Sequence, residues 1–368
     1  MSPKSNESRT GLGLGLQATH HGGDTMRYRT LGRSGAVVST QALGTMTFGA
    51  ESDEQTSGEL LTAFVERGGT LVDTADVYSS GVSEEILGRW LGRHPTEAAQ
   101  VVIATKARFP MGKGPNDVGL SRRHLRSALD DSLRRLGVDH IDLYQMHAWD
   151  ELTPLEETLR FLDDAVTAGK IGYYGFSNYL GWQVTKAAHV AAAHGWGAPV
   201  TLQPQYNLLV RDIEHEVVPA CLDAGMGLLP WSPLGGGWLT GKYERDVPPT
   251  GPTRLGDNPE RGMEAWAARN ADERTWRVVD CVRAVAREGG TPESQVALAW
   301  VAAQPAVTSV ILGARTVAQL LDNMGAADLD LGEEALTRLT EASEPRVDDY
   351  PYGTAGREQR HRSVSGGR

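Results

Sequence analysis

VVIATKARFPMGKGPNDVGLSRRHLRSALDDSLRRLGVDHIDLYQMH, residues 101–147, reads as strand, loop, helix and strand. VVIATKA (101–107) and IDLYQMH (141–147) are short hydrophobic runs, each carrying a basic side chain at or next to its end. SRRHLRSALDDSLRRLG (121–137) repeats its apolar residues at helical spacing and stops at Gly137. Strand and helix in strict alternation imply a parallel sheet, so the question becomes how many such units the chain holds.

The unit recurs on both sides. Upstream, QALGTMT (41–47) precedes the helix SDEQTSGELLTAFVERG (52–68), which opens on a Ser/Asp cap, and TLVDTA (70–75) precedes a helix around SEEILGRWL (83–91). Downstream come the helix PLEETLRFLDDAVTAG (154–169) and the strand GYYGFSN (172–178) with the helix LGWQVTKAAHVAAAHG (180–195). VTLQPQYN (200–207) with DIEHEVVPACLDAG (212–225), GLLPWSP (227–233), and SVILGA (309–314) with TVAQLLDNMGAA (316–327) complete the series. Eight strand–helix units are the closing number of the single α/β (β/α)8 TIM barrel. An open doubly wound sheet would want a dinucleotide fingerprint at its first strand–helix turn, and GTMTFGAES (44–52) is not one. MRYRTLG and AVVS, joined across Arg33-Ser34-Gly35, predict an N-terminal β-hairpin before the barrel. Residues 234–270 form a long loop after the seventh strand, expected over the catalytic face, and residues 271–303 add two extra helices. Residues 1–25 read as a disordered leader, 26–345 as the folded barrel, and 346–368 as a polar tail.

Composition narrows function. The chain has 368 residues, 40% apolar and 23% charged, with a net charge of −11. It therefore offers no electrostatic footprint for nucleic acid or an anionic membrane. No apolar stretch approaches the ~20 residues of a membrane span. Cys221 and Cys281 are far apart, which excludes a disulfide framework and fits a cytoplasmic setting. His20, His21, His189 and His194 lack partners at metal-ligand spacing, so no metal is expected.

Alternation sends every second strand residue to one face. Lys106 shares parity with Val102 and Ala104, His147 with Ile141, Leu143 and Gln145, and Asp73 with Leu71. All three polar groups can point into the barrel at its top, with Tyr78 five residues beyond Asp73. Carbonyl reduction needs a proton donor for the developing alkoxide. A neighbouring ammonium favours the phenolate and is expected to lower the phenol's pKa. Lys106 can do that for Tyr78, Asp73 would hold Lys106, and His147 can polarise the carbonyl.

From Met26 to about Asp349 the chain resembles the aldo-keto reductase family. DTADVYSSGVSEEILG is similar to the family's Asp-to-Tyr signature, and ATKA and QMH match its lysine and histidine positions. The resemblance puts Asp73, Tyr78, Lys106 and His147 on the catalytic tetrad and implies NADPH/NADP+ bound across the barrel top. GFSN, LQPQYN, WSPL and VILGART are the matching stretches. By resemblance, Ser177, Asn178 and Gln203 hold the nicotinamide carboxamide and Trp231 stacks on the ring. Ser232, Pro233, Leu234, Gly236 and Lys242 follow the pyrophosphate. Gly313, Arg315, Gln319 and Asn323 meet the 2′-phosphate and adenine. An Arg at position 315, with no acidic residue there for the ribose, favours NADPH over NADH. Gly44, Thr45 and Met46 line the nicotinamide end by main-chain contact, and Phe48, Phe109 and Trp149 wall a pocket for a small carbonyl substrate. Two glycine patterns are set aside: Gly13–Ala18 follows no strand, and Tyr243 stands where a P-loop needs Ser or Thr. A redox-sensing or scaffold subunit, a ketosugar reductase, and a cofactor-free barrel lyase or isomerase are the competing functions.

Overall fold

The computed structural model describes residues 26–347 except 252 and 261, together with 350–353 and 356. The leader 1–25 and most of the tail lie outside the described residues. A hairpin of β1 (Tyr28–Thr30) and β2 (Val37–Ser39) pairs antiparallel, with Arg29 opposite Val38. Eight parallel strands follow: β3 (Gln41–Gly44), β4 (Leu71–Asp73), β5 (Val102–Ala107), β6 (Ile141–Met146), β7 (Ile171–Ser177), β8 (Thr201–Gln203), β9 (Gly227–Leu228) and β10 (Val310–Leu312). Each pairs with its sequence neighbour, and β10 returns to pair with β3. The seam between β9 and β10 is bridged by Thr308 N–H to Leu228 O at 2.8 Å and Ile311 N–H to Pro230 O at 3.0 Å. The sheet thereby closes on itself as a (β/α)8 barrel.

Two apolar clusters explain why it closes. Leu71, Ala104, Leu143, Leu229 and Ile311 fill the barrel interior, and Leu31 and Val38 of the hairpin plug that cluster. The alternate residues Leu43, Val72, Ile103, Tyr144 and Met146 face the helices. Inward rows therefore start apolar and end polar: Leu71 leads to Asp73, Ala104 to Lys106, and Leu143 to Gln145. Ladder register sets Asp73 beside Ala104 and Lys106 beside Gln145, so the polar ends lie on one rim.

The helices follow their end signals. Glu54–Glu66 is capped by Asp53, whose carboxylate accepts from Thr56 N–H at 2.8 Å. Arg122–Leu136 starts on Ser121 and ends on Gly137 at φ 66°, the left-handed position that favours glycine. Most strands are shorter than their hydrophobic runs, because the ladder ends where the chain bends over the rim. The segment 212–225 divides into a 3-10 turn, Asp212–Glu214, and a helix, Val217–Ala224. Pro219 has no N–H to give, so it is tolerated only in a helix's first turn, which is where the restart places it. The extra helices are Glu273–Gly289 and Glu293–Ala302, and Gly332–Ala342, to which periodicity assigned no element, packs on the first.

The stretch 234–270 is not irregular throughout. It contains short helical turns at Gly235–Thr240, Arg254–Asp257, Gly262–Glu264 and Trp266–Asn270. Trp238 stacks on Trp266 with centroids 5.0 Å apart and meets Trp276 edge-on at 5.7 Å. Its indole N–H donates to Glu264 O at 3.1 Å. This aromatic cluster ties the strap to the helix Glu273–Gly289 and so sets where the strap crosses the barrel mouth.

Candidate active site

Lys106 is fully buried, and its ammonium uses all three donors. They reach Asp73 Oδ2 at 2.7 Å, Thr74 O at 2.8 Å and Tyr78 Oη at 3.1 Å. Asp73 accepts further from Gln203 Nε2 at 2.8 Å and Gln145 Nε2 at 3.4 Å through Oδ1. Side chains from β4, β5, β6 and β8 are thus locked into one array, with Tyr78 projecting from the turn after β4. His147 sits one residue past β6, its N–H donating to Ala107 O at 3.0 Å, and its ring lies edge-on to Tyr78 at 5.9 Å. The four residues converge.

Electrostatics differ from expectation at the phenol. Burial pushes the Tyr78 pKa up and outweighs the opposing pull of Lys106, with Asp73 and Asp76 adding to the rise. The phenol therefore holds its proton firmly until a stronger base forms beside it. Burial alone would lower Lys106, but Asp73 and Tyr78 together carry it above its ordinary value, so it stays an ammonium. His147 is pushed down to about 2 by burial, then by Lys106 and Arg108, and is neutral at working pH. Its Nδ1 is buried without a hydrogen-bond partner among the described residues.

Behind the array, Ser83 links the ends of β3 and β4 to the next helix through Thr45 Oγ1 at 2.8 Å and Thr74 Oγ1 at 3.0 Å. Asp76 is fully buried beside Glu84, and neither carboxylate oxygen has a well-formed hydrogen bond. Burial, then Glu84, raises its pKa to about 7, against weaker pulls from the Val77 N–H, Arg135 and Lys106. The folded state therefore binds a proton that the unfolded chain releases near 3.8, and this contribution to stability is lost as pH rises through about 7. Asp76→Asn is expected to be more stable than the parent at about pH 8 and close to it at about pH 4, as urea unfolding would measure. An equal difference at both pH values would remove Asp76 as the cause.

A cleft of about 810 Å³ runs from Tyr78 and His147 to Arg315 and Asn323 under the strap, a size suited to an extended ligand. Gly44, Met46, Asp73, Ser177, Asn178, Gln203, Trp231, Ser232, Pro233, Leu234, Gly236, Lys242, Gly313, Arg315, Gln319 and Asn323 line it. Trp231 Nε1 donates to Asn178 Oδ1 at 3.0 Å, and Asn178 Nδ2 donates to His147 O at 3.0 Å. This belt joins the chain leaving β9, β7 and β6. Lys242, Arg254 and Arg315 share one electrostatic neighbourhood at the far end, where burial, then repulsion from Arg315 and Arg254, lowers the Lys242 pKa. That cationic end suits phosphate groups. At Gly236, φ is 66° and a Cβ would come within 2.9 Å of Glu264, so only glycine leaves the backbone open to the cleft there.

Several expectations need correction. Phe48 is fully buried in the core and cannot wall a pocket. Thr45 is buried and does not line the cleft. Phe109 packs edge-on to His147 at 4.7 Å and Trp149 packs on Tyr179 and Trp182, but neither lines the main cleft. One of the two Gln203 amide N–H groups is given to Asp73, which leaves the other and the carbonyl oxygen for any ligand. Arg315 also forms ion pairs that sequence reading did not foresee, with Glu51 at 3.2 Å and Asp257 at 3.0 Å. Glu51 comes from a turn and Asp257 from the short helical turn Arg254–Asp257, both remote in sequence, where no spacing rule points to them. Arg254 and Glu264 were missed because the strap carries no periodicity, and Gln205, just past β8, meets Glu264 at 2.7 Å only through the strap. Gln145 was in view, since it shares parity with His147.

Among the described residues, no helix is long and apolar enough to cross a membrane. The family model described as the aldo/keto reductase family matches residues 42–344. An uncharacterized oxidoreductase, YrpG, of Bacillus subtilis (strain 168) is 38% identical over 324 residues, 86% of this chain and 95% of its own. A probable voltage-gated potassium channel subunit beta of Oryza sativa subsp. japonica is 38% identical, covering 83% of this chain and 92% of its own. The versiconal hemiacetal acetate reductase of Aspergillus parasiticus is 33% identical, covering 88% and 98%.

Proposed function

The chain belongs to the aldo/keto reductase family, and from that premise we propose that it reduces an aldehyde or ketone to an alcohol with NADPH. The observation carrying this reading is the continuous array Asp73–Lys106–Tyr78 at one end of a cleft whose other end holds Lys242, Arg254 and Arg315. When bound, NADPH supplies the hydride to the carbonyl carbon. Trp231 offers a ring face, Asn178 and Ser177 offer polar groups, and Arg315 offers a cation for the 2′-phosphate.

Tyr78 donates its phenolic proton to the carbonyl oxygen as negative charge develops there. An alkoxide is a far stronger base than a phenolate, so a raised phenol pKa still leaves the transfer downhill. The phenolate left behind lies 3.1 Å from the Lys106 ammonium, which Asp73 keeps charged and in place. His147, being neutral, donates a hydrogen bond to the same oxygen and orients it. Water reprotonates Tyr78 after the alcohol leaves. The unpaired Cys221 and Cys281 support a reducing, cytoplasmic setting.

NADPH consumption with a panel of neutral aldehydes tests the reading. Tight NADPH binding without turnover on any carbonyl would favour the second reading, a cofactor-binding sensor or scaffold, toward which the similarity to the rice protein points. For the cofactor, Arg315→Gln is expected to weaken NADPH binding by about 10- to 100-fold in a fluorescence titration, the range of a charge-assisted hydrogen bond. NADH binding should change little, because Arg315 is assigned to the phosphate that NADH lacks. Equal weakening of both would remove Arg315 from the phosphate site.

A further inference from the structure

Arg108 immediately follows β5, two residues beyond Lys106. Its backbone sits at φ 147°, a region that costs a non-glycine residue about 1–3 kcal/mol and persists only where the surroundings enforce it. The enforcement is visible. Arg108 O accepts from Gly119 N–H at 2.9 Å, and Asp150 Oδ2 accepts from Leu120 N–H at 2.8 Å, which pins the base of the loop between them.

The main chain is thus fixed while the guanidinium is left without a partner. It lies over the Phe109 ring at 5.3 Å, and Phe109 in turn packs on His147. Among the described residues, the Arg108 side chain appears in no hydrogen bond or salt bridge, and its Nε is buried. Asp150 feels its charge but is already occupied: Oδ2 also accepts from Thr153 Oγ1 at 2.6 Å, and Oδ1 from Leu152 N–H at 3.1 Å. Beside both charges lies the Tyr179 hydroxyl, a second buried donor without a partner, on a residue 2% exposed.

Two cations therefore act on His147, and they differ. Lys106 is neutralised by Asp73 at 2.7 Å, whereas among the described residues Arg108 has no carboxylate within salt-bridge distance. A half-buried guanidinium left unpaired over Phe109, whose ring packs on His147, creates in a chain of net charge −11 a local positive site that an anion would complete.

We propose that Arg108 is the anchor of an anion subsite beside His147, so that the substrate is an aldehyde or ketone carrying a carboxylate or phosphate group. The proposal rests on the reductase reading and adds a substrate class to it. Arg108 touches the substrate's charged end and takes no part in hydride or proton transfer.

Matched substrates test it: 4-oxobutanoate against butanal, and glyceraldehyde 3-phosphate against glyceraldehyde. The parent is expected to favour the charged member of at least one pair by about tenfold or more in kcat/KM, and the pair with the larger ratio identifies the anion. Arg108→Gln should bring that ratio close to one while leaving the neutral members within about threefold, and Arg108→Lys should restore part of it. No preference in the parent, or an equal loss on charged and neutral members, would overturn the proposal. Calorimetric titration of the NADP+-saturated protein with butanoate and with inorganic phosphate gives a readout free of turnover. The affinity for one of them should fall about tenfold in Arg108→Gln, and no binding of either to the parent would also overturn the subsite. If the parent reduces no carbonyl, charged or neutral, the reductase reading fails, and this titration still decides the subsite.

Discussion

Tyr78→Phe is expected to lower kcat/KM for aldehyde reduction by about 10³-fold, within the range a positioned general acid supplies. The hydroxyl is the one group in the array that faces the cleft and carries a transferable proton. Lys106 cannot substitute, because its donors are engaged by Asp73, Thr74 and Tyr78 and its own pKa is raised. His147 is neutral and better placed to orient than to surrender a proton. Removing the hydroxyl deletes a single hydrogen bond, so stability should fall by only about 1 kcal/mol. NADPH affinity should be unchanged, since no cofactor contact is assigned to that oxygen. Activity within tenfold of the parent would mean that another donor protonates the alkoxide.

Lys106→Met carries two large effects that can be separated. Turnover should fall by orders of magnitude, because the phenolate left after proton transfer loses the ammonium 3.1 Å away. Stability should fall as well, by about 3–5 kcal/mol, because Asp73 becomes a buried carboxylate held only by Gln203 and Gln145. Pairing Lys106→Met with Asp73→Asn removes the stranded charge and should recover much of the melting temperature. It should recover none of the turnover. A double variant that regains activity along with stability would show that Lys106 serves folding alone.

Much of this was legible in the chain because a barrel strand reports its own geometry. Parity in VVIATKA and IDLYQMH put Lys106 and Gln145 on the interior face, and ladder register then made them neighbours. Helix ends such as Gly137 and Asp53 carry local stop and start chemistry that needs no tertiary knowledge. What escaped was set by contacts between remote segments. Phe48 follows a strand end, as a pocket residue would, yet its side chain turns into the core. Arg315 finds Glu51 and Asp257 across the cleft mouth, a pairing no sequence interval encodes. The phenol's pKa turned on the balance between enclosure and one nearby cation, and enclosure is invisible before folding.

The belt from Trp231 through Asn178 to the His147 carbonyl fastens the chain just past three strand ends together at the rim, before the loops run on. Insertions and deletions in those loops can therefore be absorbed above the rim without displacing the reacting groups. New substrates become reachable by small changes of outline at fixed chemistry. For this scaffold, divergence in what is reduced need not disturb how it is reduced.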